Sequence, residues 1–379
     1  MRDVLQVMVD QEASDVYLTV GLLPMYRIQG TTQVVEGVFS RDTDQLDKEM
    51  VERLCYGVLN EKQRATFAET HEMNLAVHEE GLGRFRINVF QQRGNPGMVI
   101  RQIKVEIESI EELGLPDILK DIVMTKRGLV LVVGATGSGK STSLAAMVDY
   151  RNSDSAGHII TIEDPIEYVH PHKQCVVTQR EVGFDTDSFQ TALKNTLRQA
   201  PDVILIGEIR DTETMEAAIT FAETGHLCLG TLHSNNANQA IERILNFFED
   251  ERHAQIYLQL SLNLRSIVSQ RLLKTIDGTR VAALEILMDT PRIKDLIKKG
   301  KIDIIKEAME QGEQEGCQTF DKAIFDLYME GRIDEDQALA NADSANNLRL
   351  KIQSEEIKSG TQTEEEKPDF RISRDIRTF

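Results

Sequence analysis

Residues 128–149 read GLVLVVGATGSGKSTSLAAMVD, and the order of residue types in this stretch decides the fold. The apolar run from Leu129 to Val133 predicts a buried strand, Gly134, Gly137 and Gly139 predict a turn, and Leu144 to Val148 continue as a helix. The turn matches G-x-x-x-x-G-K-[ST] through Gly134, Gly139, Lys140 and Ser141. Glycines let the backbone curl so that successive N–H groups face phosphate oxygens, and the helix that begins there adds the positive end of its dipole. The expected cradle is Gly134, Ala135, Thr136, Gly137, Ser138, Gly139, Lys140, Ser141 and Thr142. In it Lys140 reads as the ligand of the β- and γ-phosphates and Ser141 as a ligand of Mg²⁺.

Outward from this unit, the chain alternates strands and helices. Strands are expected at 158–162, around Val176, and at 203–206, 227–231 and 281–287. Phe189, Leu193, Thr196 and Leu197 share one helical face before Pro201, and Met215, Ala218, Ile219 and Ala222 share another before Gly225. Such alternation implies a parallel sheet covered on both faces. Upstream, residues 1–108 read as an α+β domain. Val16, Leu18 and Val20 form one alternating stretch and Phe85, Ile87 and Val89 another, with helical spacing over 44–70 through Leu46, Met50, Leu54 and Val58. Gly114, Leu115 and Pro116 punctuate a linker at 109–116, and the second domain runs over 117–290. A helical region follows at 291–350, with Phe320, Ile324, Leu327 and Tyr328 in a stripe that stops at Gly331. The polar tail 351–379 reads as disordered.

Composition narrows the function. With 379 residues and 41% hydrophobic content the chain can bury more than one core. No run approaches the roughly 20 apolar residues of a membrane span, and the acidic start does not read as a secretory signal, so the expected location is the cytosol. The cysteines Cys55, Cys175, Cys228 and Cys317 lie far apart, which suggests neither a disulfide framework nor a four-cysteine zinc site. A net charge of −19 and 5% aromatic residues weigh against nucleic acid as a partner, and with it against a RecA-like nucleic-acid translocase.

Hydrolysis of a nucleoside triphosphate needs a metal anchor and a carboxylate that handles water. DVILIGEIR, 202–210, reads as a buried strand that delivers Glu208 to the carboxyl edge of the sheet. Gly207 stands where many such enzymes place a metal-holding Asp, so Glu208 is expected to serve the metal, the water or both. IEDPIE, 162–167, crowds Glu163, Asp164 and Glu167 at another strand end, where repulsion should raise at least one pKa. Glu163 is the alternative general base, and Asp164 equally suits a turn before Pro165. HLCLGTLH, 226–233, carries a histidine at each end; a γ-phosphate sensor is a more natural role than a metal site with Cys228.

Together GATGSGKST, IITIEDPIEY, DVILIGEIRD and ETGHLCLGTLH resemble the Walker A, Asp box, atypical Walker B and His box of the secretion and type IV pilus motor ATPases. ASDVYL, 13–18, resembles the start of a PilT-type N-terminal domain, with Tyr17 where a histidine is common. PRIKDLIKKGKI, 291–302, replaces the more fixed AIRNLIRE motif of PilT proteins, and it and QTFDKAIFDLY…ADSANNLRLKI look like the PilU branch. The resemblance implies an N-terminal PAS-like α+β domain, a RecA-like P-loop ATPase domain and C-terminal helices. It implies ATP and Mg²⁺ as cofactors, a homo-hexamer without zinc, a PilT-type retraction ATPase as partner and an inner-membrane pilus platform protein as contact at the pilus base. It further implies that one or more of Arg84, Arg86, Arg93 and Arg101 reach the γ-phosphate, with Arg198 and Arg210 as weaker candidates, and that His233 belongs to the catalytic set. The rival structural role is an ATP-binding subunit that stabilises a partner's ring.

Overall fold

The computed structural model describes residues 1–28, 30–35, 45–103 and 106–359. Near the N-terminus β1 (Asp15–Thr19), β2 (Met25–Ile28), β3 (Thr31–Val34), β4 (Glu72–Glu79), β5 (Gly83–Gln92) and β6 (Asn95–Ile103) form an antiparallel sheet in the order β3-β2-β1-β6-β5-β4. Alternate residues of β5 (Phe85, Ile87 and Val89) point into the core, where they join Val16 and Leu18 of β1 and Val4, Leu5 and Met8 of the first helix, Arg2–Asp10. The arginines Arg84 and Arg86 therefore stand on the opposite face of β5.

The helical spacing expected as one segment over 44–70 is two helices, Lys48–Val58 and Glu61–Thr70. Leu59 is extended and Asn60 restarts the helix with a capping box, its side chain accepting from the Gln63 N–H while Gln63 reaches back to the Asn60 N–H. Asp44, the start expected from the spacing, lies outside the described residues.

The second sheet contains β7 (Gly128–Val133), β8 (Gly157–Glu163), β9 (Cys175–Glu181), β10 (Val203–Ile206), β11 (Leu227–Leu232), β12 (Leu264–Lys274) and β13 (Arg280–Met288), in the order β13-β12-β7-β11-β10-β8-β9. All neighbours are parallel except β12 and β13, so the expected parallel sheet carries an antiparallel edge. Every residue of β7 is buried. Leu129, Leu131 and Val133 enter one core while Val130 and Val132 enter the other, as a strand covered on both faces requires. Ile110 and Leu115, within the expected linker, are packed into the second of these cores beside Leu119.

Past β13 the chain is mainly helical. Phe320, Ile324 and Leu327 pack with Leu273 of β12 and Val281 of β13, and Leu348 and Ile352 close the same cluster. The last helix, Ala345–Ser359, carries order through the first residues of the tail expected to be disordered; residues 360–379 lie outside those described. The fold is thus an α+β N-terminal part, a P-loop α/β part and C-terminal helices.

Candidate active site

The glycine loop leaves β7 at Gly134 and enters the helix Lys140–Asp154 through Gly139. Gly134 has φ +156°, and a Cβ there would lie 2.6 Å from the Gln270 carbonyl of β12 and overlap the Ser138 side chain. Only glycine lets the loop pass this close to β12. The Lys140 ammonium donates to the carbonyls of Gly134, at 2.8 Å, and Ala135, at 3.0 Å, folding back over the loop. Burial lowers the pKa of Lys140, against the opposing pull of the Glu208 and Glu167 charges. Two residues on, the hydroxyls of Thr142 and Tyr168 lie 2.9 Å apart.

Thr136, Gly137, Lys140 and Ser141 line a cavity of about 290 Å³. Ala135 and Ser138 instead line a neighbouring cavity, together with Thr136, Gly137 and residues 270–272 of β12. The Ser138 hydroxyl and the Gln270 side-chain oxygen are buried there without a hydrogen-bond partner.

Three strand ends meet the Lys140 cavity from the other side, as expected at the carboxyl edge of a parallel sheet. At the end of β8, Glu163 accepts from the Thr161 hydroxyl at 2.6 Å and from the Gln179 amide of β9 at 3.3 Å. Burial pushes its carboxyl up to about 7, against these hydrogen bonds, and the charge of Glu167 adds to the rise. The crowding expected from sequence is therefore real, but desolvation is the larger cause. Asp164 and Glu167 also line the cavity, and Asp164 is joined to Pro165 by a cis peptide bond.

Just beyond β10, Glu208 is bonded to Arg210 at 2.6 Å through one carboxylate oxygen and lies 3.1 Å from His233 Nε2 through the other. Burial works to raise its pKa, yet Arg210, His233 and Lys140 together hold it below the usual carboxylate range. Gly207 has a local reason for its identity. A Cβ there would sit 3.0 Å from the Glu163 Cα and 3.2 Å from the Ile162 carbonyl.

His233, after β11, joins this group, whereas His226 precedes the strand and bonds to Thr224 and Phe221. At strand rise the two histidines are roughly 20 Å apart, with Cys228 in the core between them. Of the arginines, Arg210 lines the cavity. Arg84 is 3.4 Å from Glu181 at the end of β9, and Arg86 faces the same carboxylate electrostatically. Arg101 is bonded to the buried Asp15 at 2.8 Å, Arg93 occupies the β5–β6 turn with φ +50°, and Arg198 lies in a short 3₁₀ turn.

Sequence reasoning missed Thr161, Gln179, Tyr168, Glu181 and Gln270. Thr161 was recoverable, since it stands two residues before Glu163 on the same strand face. Gln179, Glu181 and Gln270 reach the site through strand pairing, which no local pattern encodes.

The family model for the Type II/IV secretion system protein matches residues 2–365. The type IV pilus ATPase PilU of Pseudomonas aeruginosa is 55% identical, covering 92% of this chain and 90% of PilU. The retraction ATPase PilT of the same organism is 44% identical, over 88% of this chain and 95% of PilT. The crystal structure of the pilus retraction motor PilT with bound ADP superposes with a TM-score of 0.85 and 41% identity, covering 92% of this chain and 98% of that one.

Proposed function

The chain belongs to the Type II/IV secretion system protein family, and from that membership we propose that it is an ATP-hydrolysing motor of the PilT/PilU type that powers type IV pilus retraction. The observation that carries this reading is the convergence of Lys140, Ser141, Glu163, Glu208 and His233 on one cavity.

The phosphates of ATP bind against the loop N–H groups, and Lys140 exchanges its contacts with the Gly134 and Ala135 carbonyls for phosphate oxygens. The hydroxyl of Ser141 and the carboxylate of Glu208, both lining the cavity, are the hard oxygen donors that would hold Mg²⁺, and the ion would supply positive charge to offset that of the phosphates. Glu208, kept anionic by Arg210 and Lys140, suits that electrostatic role. Glu163, pushed up to about 7, suits proton transfer from the attacking water, because a base is most effective when its pKa lies near the working pH. His233 links Glu208 to the strand that follows the Walker B edge, so a change in the charge at Glu208 is felt at β11. The cradle residues Gly134, Ala135, Thr136, Gly137, Ser138, Gly139 and Thr142 shape the phosphate site.

No helix among the described residues is long and apolar enough to cross a membrane. We place the working form as a homo-hexamer against an inner-membrane pilus platform protein, with a PilT-type ATPase as partner. The test is ATP turnover per subunit as protein concentration rises through the micromolar range. A rate that climbs with assembly and is lost in Glu208→Gln supports an autonomous ring motor. Turnover that appears only when a PilT-type partner is added makes this chain an accessory motor. Turnover in neither case, or turnover stimulated only by DNA, overturns the reading.

A further inference from the structure

Glu181 closes β9 in direct register with Glu163 at the end of β8, and the Val182 N–H donates to the Glu163 carbonyl at 2.9 Å. Its side chain is only 8% exposed. One oxygen, Oε2, receives two donors from different directions, the Arg84 guanidinium of β5 at 3.4 Å and the backbone N–H of Ile166 at 3.4 Å. Ile166 belongs to the segment that follows Glu163 and leads to Tyr168. That segment is tied to the Gln179 amide through the Tyr168 carbonyl and to the glycine-loop helix through the Thr142 hydroxyl. Arg86 adds its charge from the same face of β5, and Asp185 accepts the Glu181 N–H at 2.9 Å.

A buried carboxylate that loses its cationic partner takes up a proton or water, and in either case becomes a poorer acceptor for other donors. We propose that Glu181 is a positioning residue that couples the N-terminal sheet to the hydrolytic edge of the second sheet, through Arg84 on one side and the Ile166 amide on the other. Burial pushes the Glu181 carboxyl up, and when β5 is seated the Ile166 N–H and the Arg84 charge oppose that push, so the Ile166 N–H is held and the segment between Glu163 and Tyr168 is fixed. When β5 withdraws, that segment loosens beside the glycine-loop helix. Arg84 then acts on hydrolysis without touching phosphate. The inference rests on the hydrolase reading above only for its consequence on turnover.

The test is a double-mutant cycle in the full chain with Arg84→Ala, Glu181→Gln and the pair, read by kcat, by the affinity for a non-hydrolysable ATP analogue, and by hydrogen exchange of the peptide spanning residues 164–168. Each single change is expected to lower kcat about tenfold while analogue affinity stays within about twofold, with the pair no worse than the poorer single variant. Exchange in 164–168 is expected to accelerate in Arg84→Ala even without nucleotide. Losses that multiply in the double variant would show Arg84 acting independently of Glu181 and would overturn the proposal, as would an unchanged kcat in an active enzyme. The exchange measurement uses no turnover, so it decides the coupling even if the hydrolase reading fails: unchanged exchange in Arg84→Ala rejects it. Arg84 is partly exposed on β5, so its variant serves where Glu181→Gln does not fold.

Discussion

Glu163 and Glu208 line the same cavity with opposite protonation tendencies. Burial pushes Glu163 up to about 7, whereas Arg210, His233 and Lys140 outweigh burial at Glu208 and hold it low. Two carboxylates driven apart in this way take different tasks. Turnover should therefore rise with pH through an apparent pKa near 7, set by deprotonation of Glu163. Glu163→Gln should lower kcat by about 100-fold or more and flatten that limb. A pH–rate profile in which the limb survives the substitution would remove Glu163 as the base.

The same group has a stability consequence. A native carboxyl with a raised pKa binds more protons than its unfolded counterpart between the ordinary value of 4.5 and about 7, so stability falls as pH rises through that window. At about 1.4 kcal/mol per unit the contribution is on the order of 3 kcal/mol. Glu163→Gln keeps an acceptor for the Thr161 hydroxyl and carries no charge. Its melting temperature should match the wild type at pH 5 and exceed it at pH 8. Equal melting at both pH values would mean that Glu163 titrates normally.

Glu208→Gln removes the anion shared by Arg210 and His233 and faced by Lys140. Nucleotide affinity should be retained, because the loop and Lys140 are untouched, while turnover falls by about 100-fold or more. Equilibrium binding beside single-turnover hydrolysis separates the two. Loss of binding instead would place Glu208 in ground-state recognition.

Gly207→Asp would introduce the carboxylate that many nucleoside triphosphatases carry at this position. Here its Cβ would press on the Glu163 Cα at 3.0 Å. Rather than add a metal ligand, the substitution should displace the end of β8, with a loss of about 1–3 kcal/mol by overpacking and a fall in turnover. A variant with unchanged melting temperature and improved Mg²⁺ affinity would contradict this.

Much of the site was legible because its chemistry is local. Lys140 and Ser141 open the helix that follows β7 and the glycine loop, and Glu208 and His233 follow β10 and β11, strands whose apolar runs are continuous in sequence. β12 was not legible for the converse reason. Leu264, Ile267, Val268 and Leu272 recur at helical intervals, yet the strand is covered on both faces and so needs no alternation. The arginines were legible as a cluster on β5 and β6, but their partners Glu181 and Asp15 lie 97 and 86 residues away. Distance in sequence hides such pairings, whatever the residue types.

The cost of missing β12 is visible in the glycine loop, since β12 explains why Gly134 is glycine. At Gly134 a methyl group meets both an unfavourable φ and the Gln270 carbonyl at 2.6 Å, whereas at Gly225, φ +101°, nothing lies within 4 Å. The two positions separate strain from collision. Gly225→Ala should cost stability of about 1 kcal/mol and leave nucleotide binding intact. Gly134→Ala should cost more and also push the loop away from β12, so that nucleotide affinity falls by about tenfold or more. Binding of a fluorescent ATP analogue, with melting curves on both variants, checks the contrast. If the two variants lose stability equally and both bind normally, β12 does not shape the loop.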